Sequence, residues 1–166
     1  MKQIILLFAA ACMSGCFGQA APAAEDALKG SAMPSFNLQM VDSTTWLNTK
    51  DIATGMPSVF LYYSPHCPYC RALLDDIIKT EPRLKDIHFY MVTHFSYAEM
   101  KDFYDEYKLD QYKNITAGRD TADFFAKYFT TPGFPYIAVY GADRKLNKTF
   151  IGTQDINDII SASKNI

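Results

Sequence analysis

Apolar and polar positions follow distinct periods in successive stretches of this chain. In PSFNLQMVDSTTWL (34–47), Phe36, Leu38 and Met40 recur at every second position before the polar run Asp42, Ser43, Thr44. A period of two that ends in turn formers predicts an N-terminal β-hairpin. SVFLYY (58–63) is nearly all apolar and β-prone, as expected of a central strand covered on both faces. In RALLDDIIKTEPRL (71–84), Leu73, Leu74, Ile77 and Ile78 form a stripe at helical spacing. That stripe predicts an amphipathic helix, ended or kinked near Pro82.

The pattern continues without a break. IHFYMVTHF (87–95) reads as a second strand. SYAEMKDFYDEYKL (96–109) reads as a helix whose Tyr97, Met100, Phe103, Tyr104 and Tyr107 share one core-facing side. TADFFAKYF (121–129) is a third helix, with Asp120 or Thr121 as its N-cap. Residues 130–152 give strand, polar turn around Gly141 to Arg144, and strand; so short a turn requires antiparallel pairing. DINDIISAS (155–163) closes the chain as a helix with Ile156, Ile159 and Ile160 inward. The order is βαβ, two further helices, a hairpin and a helix. It implies an α/β fold with a mixed sheet and helices on both faces.

The N-terminal residues have a different character. MKQIILLFAAACMSGC (1–16) places one Lys before a short apolar run and then small residues. This is the pattern of a secretory leader, too short to span a bilayer. Its MSGC end resembles a bacterial lipobox, which would make Cys16 the lipidated first residue of the mature chain. The alternative is ordinary cleavage near Ala21. Expected boundaries are therefore a lipoprotein signal peptide at 1–15, a lipidated flexible tether at 16–32, and one domain at 33–166. The tether, rich in Ala with Gly and Pro, has no apolar periodicity. The expected location is exported and periplasm-facing, anchored to the membrane through lipid on Cys16. Net charge is −2 with no basic stripe, so no nucleic-acid partner is expected.

The leader changes the cysteine count. Cys12 leaves with it and Cys16 is taken by lipid, so of four cysteines only Cys67 and Cys70 stay as thiols, in a disulfide-permissive compartment. They lie in SPHCPYCRAL (64–73), at the expected junction of strand and helix. There Cys67 meets unpaired backbone N–H groups and the positive end of the helix dipole, which favour a thiolate. Pro68 suits the first helical position. Cys70, three residues on, shares the face of Cys67 and can close an S–S bond with little backbone change. A zinc site needs about four ligands. Two Cys and three His without a second CxxC make metal binding unfavoured, and no metal or other cofactor is expected. A purely structural disulfide closing so short a loop gains little entropy. A redox pair is the better reading, with Cys67 attacking and Cys70 resolving. His66, Pro68 and Tyr69 would face the substrate. Far along the chain, GFPYIAVY puts Pro135 just before a strand. A cis Phe134–Pro135 bond would present the Phe134 backbone to an extended substrate segment; a trans proline opening the strand is the alternative.

With these residues in place the chain from about Met33 to Ile166 resembles the thioredoxin superfamily, and most the TlpA/ResA branch of exported thiol–disulfide oxidoreductases. The resemblance rests on PSFNLQMVDSTTWL, VFLYYSPHCPYCR, GFPYIAVY and RKLNKTFIG. It implies a thioredoxin-like three-layer sandwich with an N-terminal β-hairpin extension. It also implies a nucleophile at Cys67, a resolving thiol at Cys70 and a cis-Pro135. Two positions depart from the family. Thioredoxins carry a buried acid where this chain has Leu61, and the aromatic four before the first cysteine is Tyr63 rather than tryptophan. The Pro-Tyr dipeptide is glutaredoxin's, but that family's glutathione patch after the cis-proline strand is absent. The implied partners are protein thiols and disulfides, and an unidentified membrane electron donor or acceptor. The architecture favours a reductant, whereas a protonated His66 beside Cys67 would favour an oxidant. An oxidase or isomerase, or a binding lipoprotein with an inert disulfide, remains open on the sequence.

Overall fold

The computed structural model describes residues 27–164. The expected leader, Cys16 and most of the tether lie outside the described residues. Residues 30–32, expected to belong to a flexible tether, are paired onto the body. Gly30 donates its N–H to the Leu146 carbonyl at 2.8 Å, Leu146 donates to the Ser31 carbonyl at 2.9 Å, and Ala32 bridges to Lys145. The body therefore starts ahead of Met33. The missing signal was apolar period, which backbone pairing does not require.

Among the described residues seven strands form one sheet: β1 (Asn37–Met40), β2 (Trp46–Asn48), β3 (Ser58–Tyr62), β4 (His88–Thr93), β5 (Ile115–Arg119), β6 (Tyr136–Tyr140) and β7 (Leu146–Ile151), in the order β2-β1-β5-β4-β3-β6-β7. The β3/β4 and β4/β5 pairs are parallel; the others are antiparallel. The sheet is covered by α1 (Pro68–Thr80), α2 (Tyr97–Glu106), α3 (Phe124–Phe129) and α4 (Ile156–Lys164). The N-terminal hairpin is the β1/β2 pair. Asp42 closes its turn by accepting from the backbone N–H of Thr44 at 3.0 Å and of Thr45 at 2.7 Å.

One strand was not expected. The ITAGR stretch of β5 offers only one large apolar side chain, and Ala117 and Gly118 give no alternation to detect. Its composition answers a packing need. A Cβ on Gly118 would lie 2.8 Å from the Leu38 Cβ, so β1 can pair with β5 at this approach only where the side chain is absent. The third helix also starts later than expected, at Phe124. Its N-cap is Asp123, without a side-chain cap bond, rather than Asp120 or Thr121; the Asp120 carboxylate reaches the first turn from upstream, accepting from the N–H of Ala122 at 3.2 Å and of Phe125 at 2.7 Å.

The two parallel crossovers step in the same direction across the sheet, so right-handed connections put α1 and α2 on one face. With α4 they bury Leu61, Leu73, Leu74, Ile77, Phe103 and Ile159. The other face is covered by α3 and the segment leading into β1, around Phe36, Phe60, Tyr62, Phe125 and Phe129. In α1 the buried positions include Leu73, Leu74 and Ile77, each worth about 2 kcal/mol of burial. The α2 aromatic stripe is largely structural. Met100 and Phe103 are buried, and the Tyr97 hydroxyl donates to the Val41 carbonyl at 2.7 Å.

Candidate active site

The strand β3 runs into a turn whose backbone is tied before the helix starts. Cys67 donates its N–H to the Ser64 carbonyl at 3.1 Å, and His66 donates its N–H to the Ser64 hydroxyl at 3.2 Å. Cys67 is then the N-cap of α1, with extended φ −83° and ψ 116°, and Pro68 opens the helix where its missing N–H costs nothing. The Cys67 Sγ accepts from the Cys70 N–H at 3.3 Å, taking one of the helix's unpaired donors. Both cysteines are present as thiols. Cys67 is half-buried and Cys70 is fully buried. Burial first, and then the hydrogen bond with Cys67, push the Cys70 thiol up to about 12.

The loop before β6 completes the site. Phe134–Pro135 is cis, and the Cys67 thiol donates to the Phe134 carbonyl at 3.8 Å. The structure thus brings together Cys67, Cys70, Phe134 and Pro135. Of the other candidates, His66 and Pro68 are exposed beside Cys67, and Tyr69 is 63% exposed. His66 Nε2 lies 2.7 Å from Glu99 Oε1, across from the start of α2. Glu99 also closes the capping box with Ser96. The Ser96 hydroxyl first, and then His66, hold the Glu99 carboxyl down at about 2.

Sequence reasoning missed two supports of the site. Arg71 donates from Nε to the Pro65 carbonyl at 3.0 Å and from Nη1 to Glu106 at 2.6 Å, and lies 5.1 Å from the Phe103 ring centroid. It fastens the turn before Cys67 to α2. Its position one residue past the second cysteine was the only available hint. The second is Tyr62, whose hydroxyl meets both His94 and Asp123 beside Phe134. Nothing in the sequence joins those three. Leu61, at the position of the family's buried acid, is fully buried between Met91 and Ile137. Next to it the Tyr63 hydroxyl is buried without a hydrogen-bond partner. Burial first, and the nearby Cys70 second, raise the Tyr63 phenol above its ordinary value. Among the described residues no group of three or more His, Cys, Asp or Glu could hold a metal ion.

No protein-family model matches the chain. Its fold has solved counterparts. A secreted disulfide oxidoreductase of Mycobacterium tuberculosis, homologous to E. coli DsbE, superposes with TM-score 0.63 at 17% identity, covering 77% of this chain and 93% of that one. The exposed lipoprotein thioredoxin Etrx1 of Streptococcus pneumoniae gives TM-score 0.64 at 22% identity, covering 80% and 100%. These likenesses, with the mixed sheet, define a thioredoxin-like α/β fold of the type shared by DsbE-like proteins. In sequence, the methylamine utilization protein MauD of Methylophilus methylotrophus is 28% identical over 81 residues, 49% of this chain and 38% of MauD. The match thus spans less than half of MauD's length.

Proposed function

We propose that the protein is a thiol–disulfide oxidoreductase of the cell envelope, working by dithiol–disulfide exchange between Cys67 and Cys70 and acting as a reductant of protein disulfides. The observation that carries this reading is the asymmetry of the pair. One thiol stands half-exposed at a helix N-terminus beside the Phe134 carbonyl, and its partner is buried one turn on.

The steps follow from that arrangement. The Cys67 thiolate attacks one sulfur of a substrate disulfide, forming a mixed disulfide and releasing a substrate thiolate that takes up a proton. Cys70 gives up its proton and attacks the Cys67 sulfur, forming the Cys67–Cys70 disulfide and releasing the second substrate thiol. Two electrons and two protons pass to the substrate, and a membrane electron donor restores the dithiol. No other cofactor is needed. His66, Pro68 and Tyr69, exposed around Cys67, are the proposed contact surface, and the Phe134 and Pro135 backbone the proposed pairing edge. The leader pattern of residues 1–15 and the lipobox ending at Cys16 support export and lipid anchoring, with one domain following the tether.

The Cys70→Ser variant tests the exchange. It should trap substrate proteins as mixed disulfides on Cys67, and the Cys67→Ser/Cys70→Ser double variant should trap none. A Cys70→Ser variant that traps no adducts, together with a wild type that shows no disulfide reductase activity with dithiothreitol, would leave only a binding role. The potential of the pair decides direction: about −270 mV supports a reductant, and about −120 mV an oxidase.

A further inference from the structure

Three segments remote in sequence meet around the side chain of Phe134. Tyr62 ends β3, His94 follows β4, and Asp123 precedes α3. The Tyr62 hydroxyl lies 2.6 Å from His94 Nδ1 and 2.7 Å from Asp123 Oδ1, and Tyr62 itself is 2% exposed. A phenol has one proton to give, and a carboxylate can only accept. The Tyr62 proton therefore goes to Asp123, and the bond to His94 is donated by His94 Nδ1–H. This chain of bonds fixes the imidazole with its proton on Nδ1. It holds in either charge state of the ring, since both carry that proton. Burial first, and the bond to Asp123 second, raise the Tyr62 phenol above its ordinary value and keep it a donor.

The fixed rings grip Phe134. The Tyr62 ring centroid is 4.9 Å away, the His94 ring stacks at 5.9 Å with 21° between planes, and Phe95 stands at 6.0 Å. Phe134 is only half-buried, so these three rings set where its ring sits. Its carbonyl, on the same residue, is the acceptor for the Cys67 thiol. Asp123 holds φ +50°, a left-handed backbone that side chains seldom adopt. The chain keeps this conformation at the residue whose carboxylate terminates the hydrogen-bond chain.

We propose that Asp123, Tyr62 and His94 act as one positioning unit that fixes the Phe134 edge and so lets the site favour extended polypeptide disulfides over small ones. The inference rests on the oxidoreductase reading above. A small disulfide needs only the Cys67 sulfur. A polypeptide must also pair its backbone along Phe134, and a displaced edge weakens that pairing.

The test compares two substrates with the full chain: a disulfide-bonded extended peptide and hydroxyethyl disulfide. Tyr62→Phe keeps the ring and removes the hydroxyl; Asp123→Ala removes the terminal acceptor; Asp123→Asn keeps an acceptor oxygen. In Tyr62→Phe and Asp123→Ala the ratio of peptide to small-disulfide kcat/KM should fall about 5–10-fold, chiefly through peptide KM. Asp123→Asn should restore that ratio to within about twofold of wild type, because the acceptor is retained. Thermal melts show which variants fold, and Asp123→Ala carries the test should Tyr62→Phe not fold. An unchanged ratio in a folded variant, or equal losses on both substrates, would overturn the assignment. A wild type that reduces neither substrate would instead overturn the oxidoreductase reading beneath it.

Discussion

The Cys67 thiol and the Phe134 carbonyl oxygen stand 3.8 Å apart, although 67 residues separate them in the chain. One belongs to the N-terminus of α1 and the other to the loop entering β6. Their meeting follows from the antiparallel β3/β6 pair, which sets Tyr62 opposite Tyr136 and aligns the two segments at the same end of the sheet. Cys70 lies behind this contact, in the core with Leu73 and Leu74.

That difference in burial should be visible in alkylation. With reduced protein at pH 8, iodoacetamide should label Cys67 long before Cys70, whose thiol burial pushes up to about 12. A thiol so shifted has roughly a thousandth of the thiolate of an ordinary cysteine at that pH. The same shift has a stability consequence. Between about 9 and about 12 the unfolded state loses this proton while the folded state keeps it, so the reduced protein loses stability as pH rises through that window. Peptide mapping by mass spectrometry gives the first result and thermal melts of wild type against Cys70→Ala the second. Equal labelling of the two thiols would contradict the asymmetry.

The Ser96–Glu99 capping box joins the site to the start of α2. Ser96→Ala should cost about 1 kcal/mol at neutral pH, the usual value of an N-cap. Because Ser96 and His66 hold the Glu99 carboxyl down at about 2, its contribution is present above the ordinary 4.5 and is lost as pH falls from 4.5 towards 2. Glu99→Gln should flatten that part of the acid-unfolding curve. Denaturant titrations at pH 7, 4 and 3 measure both effects, and an acid limb of unaltered slope would refute the second.

Tyr63 offers the opposite sign. Its hydroxyl is buried with no hydrogen-bond partner, a state that costs about 1–3 kcal/mol. Tyr63→Phe keeps the ring against Phe103, at a centroid distance of 4.7 Å, and removes the stranded group. The melting temperature should rise by about 3 °C. A fall would show that the hydroxyl stabilises the folded state after all.

How much of this was legible beforehand varied with the range of the interaction. The βαβ start, the α2 stripe and the β6/β7 hairpin could be read because each depends on side-chain period within a dozen or so residues. The CPYC pair could be read because a helix N-terminus and an i, i+3 spacing are local facts. β5 escaped because Gly118 answers the close approach of Leu38 on another strand, and with the small Ala117 beside it the segment shows no alternation of its own.

The sequence by itself determined helices α1 to α4, every strand but β5, their order along the chain, and the two thiols that stand at the first turn of α1. Period, capping and turn chemistry are encoded within single segments, and they need no partner to be recognised. Only the tertiary structure decided how deep each thiol lies, Cys70 fully buried and Cys67 half-buried, and that the Phe134 carbonyl reaches the Cys67 thiol. It likewise decided that Arg71 ties the turn to α2 and that Tyr62, His94 and Asp123 share one proton chain. Those relationships arise where strands distant in the chain become neighbours in the sheet. Their geometry is set by strand register and right-handed crossovers, which no single segment contains.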